Sequence, residues 1–311
     1  MGCLRPSPRR LRSGIRRMQR ESVKPAPFIY HDPQSRADLH DLLARLENTK
    51  LLAGGQSLMP MLNMRIVAPD HVIDLNKMPG MDGIAIGGDH ITIGAMTRQA
   101  NLHDSPDIKE HLPIMIAALD HVGHFQTRSR GTIGGSCCHL DPAAELPALC
   151  SLYDAEFDVS GPNGARKVAA QDWFQGYLQS ALAEDEVLES IRVPLWPAGA
   201  TYGFSEYARR RGDFAIAGAA ALFAWRFDAT IDRAAIVIFG VAPDPVRLRE
   251  LERDLIGRRL DGEAIHTSAV AAKRIEAMSD PYVSGDYRRR LAGIMVERAL
   301  TAAAQRAEMA A

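Results

Sequence analysis

Apolar residues recur at helical spacing in some stretches of the chain and alternate as in strands in others. Leu39, Leu42, Leu43 and Leu46 keep the helical spacing behind Ser35, so residues 35–47 are predicted as a helix with Ser35 at its N-cap. Residues 50–53 and 71–75 read as short strands, with an irregular or short helical piece at 60–65 between them. Ile84-Ala85-Ile86 and Ile91-Thr92-Ile93 flank Gly87-Gly88-Asp89-His90, the pattern of a hairpin. Residues 97–104 and 112–120 are predicted helical, and Asp141-Pro142 reads as the N-cap and first position of a short helix. Strands are expected at 156–160, 186–193, 204–208, 219–227 and 231–241, and helices near 245–255 and 262–278. A last helix begins near Asp286, with Tyr287, Leu291, Ile294, Met295 and Ala299 on one face. Mixed elements come first, then strands followed by helices, which is α+β rather than regular βαβ. Pro194, Pro197 and Gly199 mark a domain boundary.

Two glycine-rich turns interrupt this pattern, Ala53-Gly54-Gly55-Gln56-Ser57 and Gly131-Thr132-Ile133-Gly134-Gly135-Ser136. Each sets backbone N–H groups beside a hydroxyl with no side-chain bulk between them, which suits an anion. Two such turns far apart suggest the two sides of a clamp on a diphosphate. A bulky residue at Gly54 or Gly134 is then expected to fill the phosphate's space. Neither turn ends in Gly-Lys-Ser/Thr, and neither fits the G-x-G-x-x-G turn of a doubly wound nucleotide fold.

Composition narrows the classes. The 311 residues allow two domains, and a formal net charge of -1 argues against nucleic-acid binding. No apolar run approaches a membrane-spanning length. Cys3, Cys137, Cys138 and Cys150 contain no C-x-x-C pair, which argues against an iron–sulfur cluster or structural zinc on this chain and for reduced thiols in the cytoplasm. His121, His124 and His139 have no spacing of a catalytic metal set. The arginine-rich residues 1–23 lack an apolar segment and so are no secretory signal. They read as a disordered extension, as a nucleic-acid-binding arm, or as the consequence of a true start at Met18.

The first loop, with Pro60-Met61-Leu62-Asn63-Met64-Arg65 after it, resembles the first flavin loop of the medium subunit of molybdenum hydroxylases. The second, with Asp141-Pro142-Ala143-Ala144-Glu145-Leu146-Pro147 after it, resembles the second loop of the same family, to which the carbon monoxide and xanthine dehydrogenases belong. Similar stretches lie at 24–30, 210–217 and 284–291, so the likeness runs from about Lys24 onward. It implies a two-part FAD-binding domain of the vanillyl-alcohol-oxidase (PCMH) type at 24–198, then a small sheet packed with helices at 199–311. On that resemblance Lys50, Leu51, Leu52, Ala53, Gly54, Gly55, Gln56 and Ser57 form one FAD loop, and Thr132, Ile133, Gly134, Gly135 and Ser136 the other. Glu145 falls on a position that binds a sugar hydroxyl of FAD, and Leu188 on one whose backbone contacts the flavin.

The chain departs from the family in two respects. Some members have a lysine where this chain has Glu206, and Cys137-Cys138 replaces what is often Leu-Ala, setting thiols close to the flavin loop. The resemblance implies an electron-transfer subunit with no catalytic residue of its own. Its partners would be a large molybdenum subunit and a small iron–sulfur subunit, in a dimer of heterotrimers. The alternatives are a free-standing oxidase or reductase of this fold, and a nucleotide-binding assembly protein without flavin. Without the resemblance, Asp141 is a helix cap, Glu145 a surface helix residue, and Arg209-Arg210-Arg211 a solvated cluster or a docking surface.

Overall fold

The computed structural model describes residues 24–310, and the extension at 1–23 lies outside them. Among the described residues three sheets form, each with its own helices. The first is parallel: β1 (Ile29–His31), β2 (Thr49–Leu52) and β3 (His71–Asp74) lie in the order β1-β3-β2. α1 (Arg36–Arg45) connects β1 to β2, and the Ser35 hydroxyl accepts from the Asp38 N–H as predicted. Its Leu39 and Leu43 are buried with Ile73, Leu75, Met78 and Met81 in a small core of their own. α2 (Leu58–Asn63) follows the first glycine loop.

The second sheet is antiparallel. β4 (Ile84–Ile86), β5 (His90–Gly94), β6 (Glu156–Gly161), β7 (Gly164–Ala169) and β8 (Val187–Pro194) take the order β4-β5-β8-β6-β7. Helices carry the chain from β5 to β6: α3 (Gln99–Asp104), α4 (Pro106–His111), α5 (Pro113–Leu119), α6 (Phe125–Arg128), α7 (Ile133–His139) and α8 (Glu145–Leu152). α9 (Ala170–Trp173) follows β7 and delivers Trp173 to the main core. Its ring stacks on Phe157 with centroids 4.0 Å apart, and its Nε1–H donates to the Cys137 carbonyl at 2.7 Å. That bond satisfies the one polar group of a fully buried indole.

The third sheet runs β12-β11-β10-β9, from β9 (Thr201–Tyr207), β10 (Ala217–Trp225), β11 (Ile231–Phe239) and β12 (Val246–Arg247). β10 is buried on both faces. Ala220 and Leu222 face the main core, while Ala219, Ala221 and Phe223 face a third core. That core is closed by α10 (Arg249–Leu255), α11 (Gly262–Ala272) and α12 (Gly285–Ala310). Small residues let α12 lie close on the sheet: a Cβ on Gly203 would fall 1.7 Å from the Ala299 carbonyl oxygen.

Several boundaries differ from the sequence reading. Asp141 does not cap a helix: its Oδ1 accepts from the Ala143 N–H in a local turn, and α8 starts at Glu145. The Pro142 carbonyl is taken by the Gly240 N–H at 2.7 Å, so it is lost to a helix. Residues 245–248 are not helical, because Val246 and Arg247 pair with Ile238 and Val237. β1, α4, α6, α7, β7 and α9 fall where the sequence reading assigns no element. Among the described residues no helix is long and apolar enough to cross a membrane.

Candidate functional site

The fold brings the two glycine loops into contact. The first leaves the carboxyl end of β2; the second opens α7. A Cβ on Gly54 would lie 2.4 Å from the Arg130 carbonyl oxygen and 2.7 Å from the Gly131 Cα, so the loops meet backbone to backbone. A Cβ on Gly134 would strike Ala95 at 2.6 Å. These two glycines permit close packing, and a side chain on either meets protein rather than a phosphate, contrary to the expectation from sequence. Gly55 is needed for another reason, its φ of 72° lying in the left-handed region.

Two residues that carry no motif tie the loops together. The Asn76 Nδ2 donates to the Ala53 carbonyl at 2.9 Å. The Arg98 guanidinium donates to the Asn76 Oδ1 and to the Arg130 carbonyl. The signal for them is positional: Asn76 lies just past the carboxyl end of β3, and Arg98 just before α3. Only the tertiary fold sets them beside the loops.

The loops are chemically unequal. In the second, the Thr132 side chain accepts from the Gly135 N–H at 3.0 Å as N-cap of α7. The Ile133 N–H donates to the Thr97 carbonyl, Gly134 to Ala95, and Ser136 to Thr132. In the first, the N–H groups of Gly54, Gly55, Gln56 and Ser57 meet no backbone or side-chain acceptor among the described residues. The run of open donors for an anion therefore belongs to the first loop, while the second is largely pre-bonded, with only its Thr132 N–H lacking an acceptor among the described residues. Among the other residues named from sequence, Lys50, Leu51 and Leu52 pair with Val72, Ile73 and Asp74, leading the chain into the first loop. Leu188 is buried in β8, and the carbonyl of its neighbour Glu189 accepts from the Ala95 N–H. Ala95 in turn holds Gly134, so Leu188 is linked to the second loop through one strand end.

Glu145 is not a surface residue. It is the first residue of α8, 8% exposed, and its carboxyl interacts with that of Glu206 on β9, whose side chain is 2% exposed. Burial pushes Glu145 up to about 7. Burial and the charge of Glu145 push Glu206 up to about 8. His121 Nδ1 lies 3.8 Å from Glu206 Oε1, but burial and Arg211 hold its imidazole below the ordinary value. The Glu206 Oε2 has no hydrogen-bond partner. Glu206 lines a cleft of about 470 Å³, with Phe204, His121, Arg210 and Arg211 around it. Residues 121–131 run from this cleft through α6 to the second loop. The three histidines do not converge, and the described residues hold no cluster of three or more metal-ligating side chains.

Open amides at one place and an unpartnered, buried carboxyl in a cleft at another fit an elongated ligand with an anionic middle and a polar ring, as FAD has. Residues 22–196 match the family model described as the FAD binding domain in molybdopterin dehydrogenase. The chain belongs to this family. Residues 202–303 match the C-terminal domain of the CO dehydrogenase flavoprotein. A curated relative, the carbon monoxide dehydrogenase medium chain of Hydrogenophaga pseudoflava, is 38% identical over 90% of this chain and 98% of its own. The nicotine 6-hydroxylase medium subunit of Paenarthrobacter nicotinovorans is 35% identical over 89% and 97%. The solved carbon monoxide dehydrogenase of Hydrogenophaga pseudoflava that lacks the Mo-pyranopterin moiety superposes with a TM-score of 0.88 at 39% identity, over 91% of this chain and 99% of the other. The family fixes the chain as an FAD-binding oxidoreductase subunit of α+β fold.

Proposed function

We propose that this chain is the FAD-carrying electron-transfer subunit of a molybdenum-containing hydroxylase, passing electrons from iron–sulfur clusters to an external acceptor. The observation that supports it best is the backbone contact between the two glycine loops, beside which the first loop carries a run of four open amides. In this reading Gly54, Gly55, Gln56 and Ser57 hold the diphosphate, and Lys50, Leu51, Leu52 and Ala53 carry the chain to it. Thr132, Ile133, Gly134, Gly135 and Ser136 form the opposite wall. Glu145 and Leu188 contact the sugar and ring portions.

When bound, FAD exchanges electrons singly or in pairs, which couples a two-electron oxidation to one-electron carriers. The chain's own residues bind and orient. Asn76 and Arg98 keep the two loops at a fixed separation, and Phe204 with Gly212 shapes the cleft. No side chain is required as acid, base or nucleophile toward a substrate. The molybdenum centre is assigned to a large partner subunit and the iron–sulfur clusters to a small one, with two such heterotrimers joined, in the cytoplasm. The reading divides the chain at 198, between β8 and β9. Substrate choice then lies in the partner, consistent with relatives named for carbon monoxide and for nicotine.

Co-purification at native expression level tests this. The expected result is two partner chains with molybdenum and iron in the complex, and a flavin bleached by substrate only when both partners are present. Bleaching by a substrate with this chain alone, or isolation of the chain without flavin and without partners, overturns it.

A further inference from the structure

Glu206, the partner of Glu145 in the buried carboxyl pair, has no role so far. Glu206 is 2% exposed at its side chain, its Oε2 lacks any partner, and it lines the cleft. A carboxylate buried in this way without a donor is costly, whereas a carboxylic acid there is not. Among the described residues Glu206 has no arginine or lysine in an ion pair, and its nearest basic group is His121. The opposing member, Glu145, sits at the amino end of α8 and takes a hydrogen bond from its own N–H. The helix end favours the charge at Glu145, so the proton belongs on Glu206.

We propose that the Glu145–Glu206 pair carries a single proton, held on Glu206, and that Glu206 offers it as an uncharged hydrogen-bond donor to an acceptor atom of the bound cofactor. This rests on the reading of the chain as an FAD carrier. The groups that face the pair are His121 and Asp120 from the end of α5, Arg210 and Arg211 from the segment after β9, and Asp141 from the turn before α8. His121 is held neutral at ordinary pH by burial and by Arg211. It leaves the proton on the pair. Raising the pH removes that proton, converting the donor to a second negative charge against the ligand.

The test is FAD binding to the full chain against pH, together with infrared spectra of the carboxyl region. Wild type should hold FAD less tightly above about pH 8, the value to which Glu206 is pushed. Glu206→Gln keeps a donor and cannot ionise, so it should bind with near wild-type affinity and no such pH break. Glu206→Ala should bind about tenfold more weakly at neutral pH, the worth of one hydrogen bond. Glu145→Gln removes the opposing charge and should move the break to lower pH. A carboxylic-acid C=O band in wild type at neutral pH should vanish in Glu206→Gln. A wild-type affinity flat with pH, a Glu206→Gln variant as weak as Glu206→Ala, or the absence of that band overturns the proposal. A chain that retains no FAD at any pH instead overturns the underlying reading, and the infrared band still decides where the proton lies.

Discussion

Replacing Gly54 by alanine probes the contact between the loops with a single carbon. The added Cβ lies 2.4 Å from the Arg130 carbonyl oxygen, against 3.4 Å for an ordinary contact, so the loops must separate by about 1 Å. The opposing atoms are backbone, held by Arg98 and by the pairing of residues 98 and 132, and no flexible side chain can swing aside. Overpacking of this kind costs about 1–3 kcal/mol. In the free chain the first loop moves outward against the Asn76–Ala53 bond alone, because its own N–H groups have no partners to lose. Cofactor binding has to close it again, so the strain appears as an affinity loss of about 5- to 150-fold. The assay is fluorescence titration of FAD into the deflavinated chain, with the melting temperature measured alongside. Gly88→Ala, where a Cβ meets nothing within 4 Å, is the control and should bind as wild type does. Full wild-type affinity in Gly54→Ala, with an unchanged melting temperature, would refute the claim that this contact sets the cofactor site.

Other expectations concern the frame around the site. Arg247, 8% exposed at its side chain, pairs with Glu252 and caps the Ser151 and Leu152 carbonyls at the end of α8. Arg247→Ala strands a buried carboxylate and should cost about 3–5 kcal/mol in urea unfolding, a figure that a loss below 1 kcal/mol would contradict. Both Glu145 and Glu206 are pushed up from 4.5, to about 7 and about 8, so the folded chain binds more protons than the unfolded one. Stability should then fall as pH rises from 4.5 through about 8, and Glu206→Gln should flatten that slope in urea melts. Equal slopes in the two proteins would remove the pair as the cause. Cys137 and Cys150 are buried with sulfurs 3.7 Å apart, and burial raises the Cys137 thiol and takes Cys138 to about 12. Cys137 and Cys150 should resist alkylation in the native chain and label together on unfolding, and rapid native labelling of Cys137 would contradict their inertness.

The parts of the fold legible in the sequence were those with a local cause. Ser35 caps α1 through its own hydroxyl, and the 84–94 hairpin follows from two β-rich runs about a glycine turn. The glycine loops stood out because so few residues tolerate their backbone. What could not be read depended on distant partners. Pro142 is taken by Gly240, and residues 246–247 are drawn into the sheet by β11, so the helix boundaries moved. Glu145 reads as a surface residue until β9 brings Glu206 against it from 61 positions away. Asn76 and Arg98 are ordinary polar residues in sequence, and their part in spacing the loops exists only in three dimensions.

The inequality of the two loops bears on how the protein matures. The second loop has all but its Thr132 N–H bonded when the chain folds, whereas the first ends a small parallel sheet with four donors in a row unanswered. Cofactor loading then answers those donors at the carboxyl end of the sheet. Hydrogen exchange at Gly54–Ser57 would report loading directly, and a partner that docks only on the loaded loop would exclude empty chains from assembly.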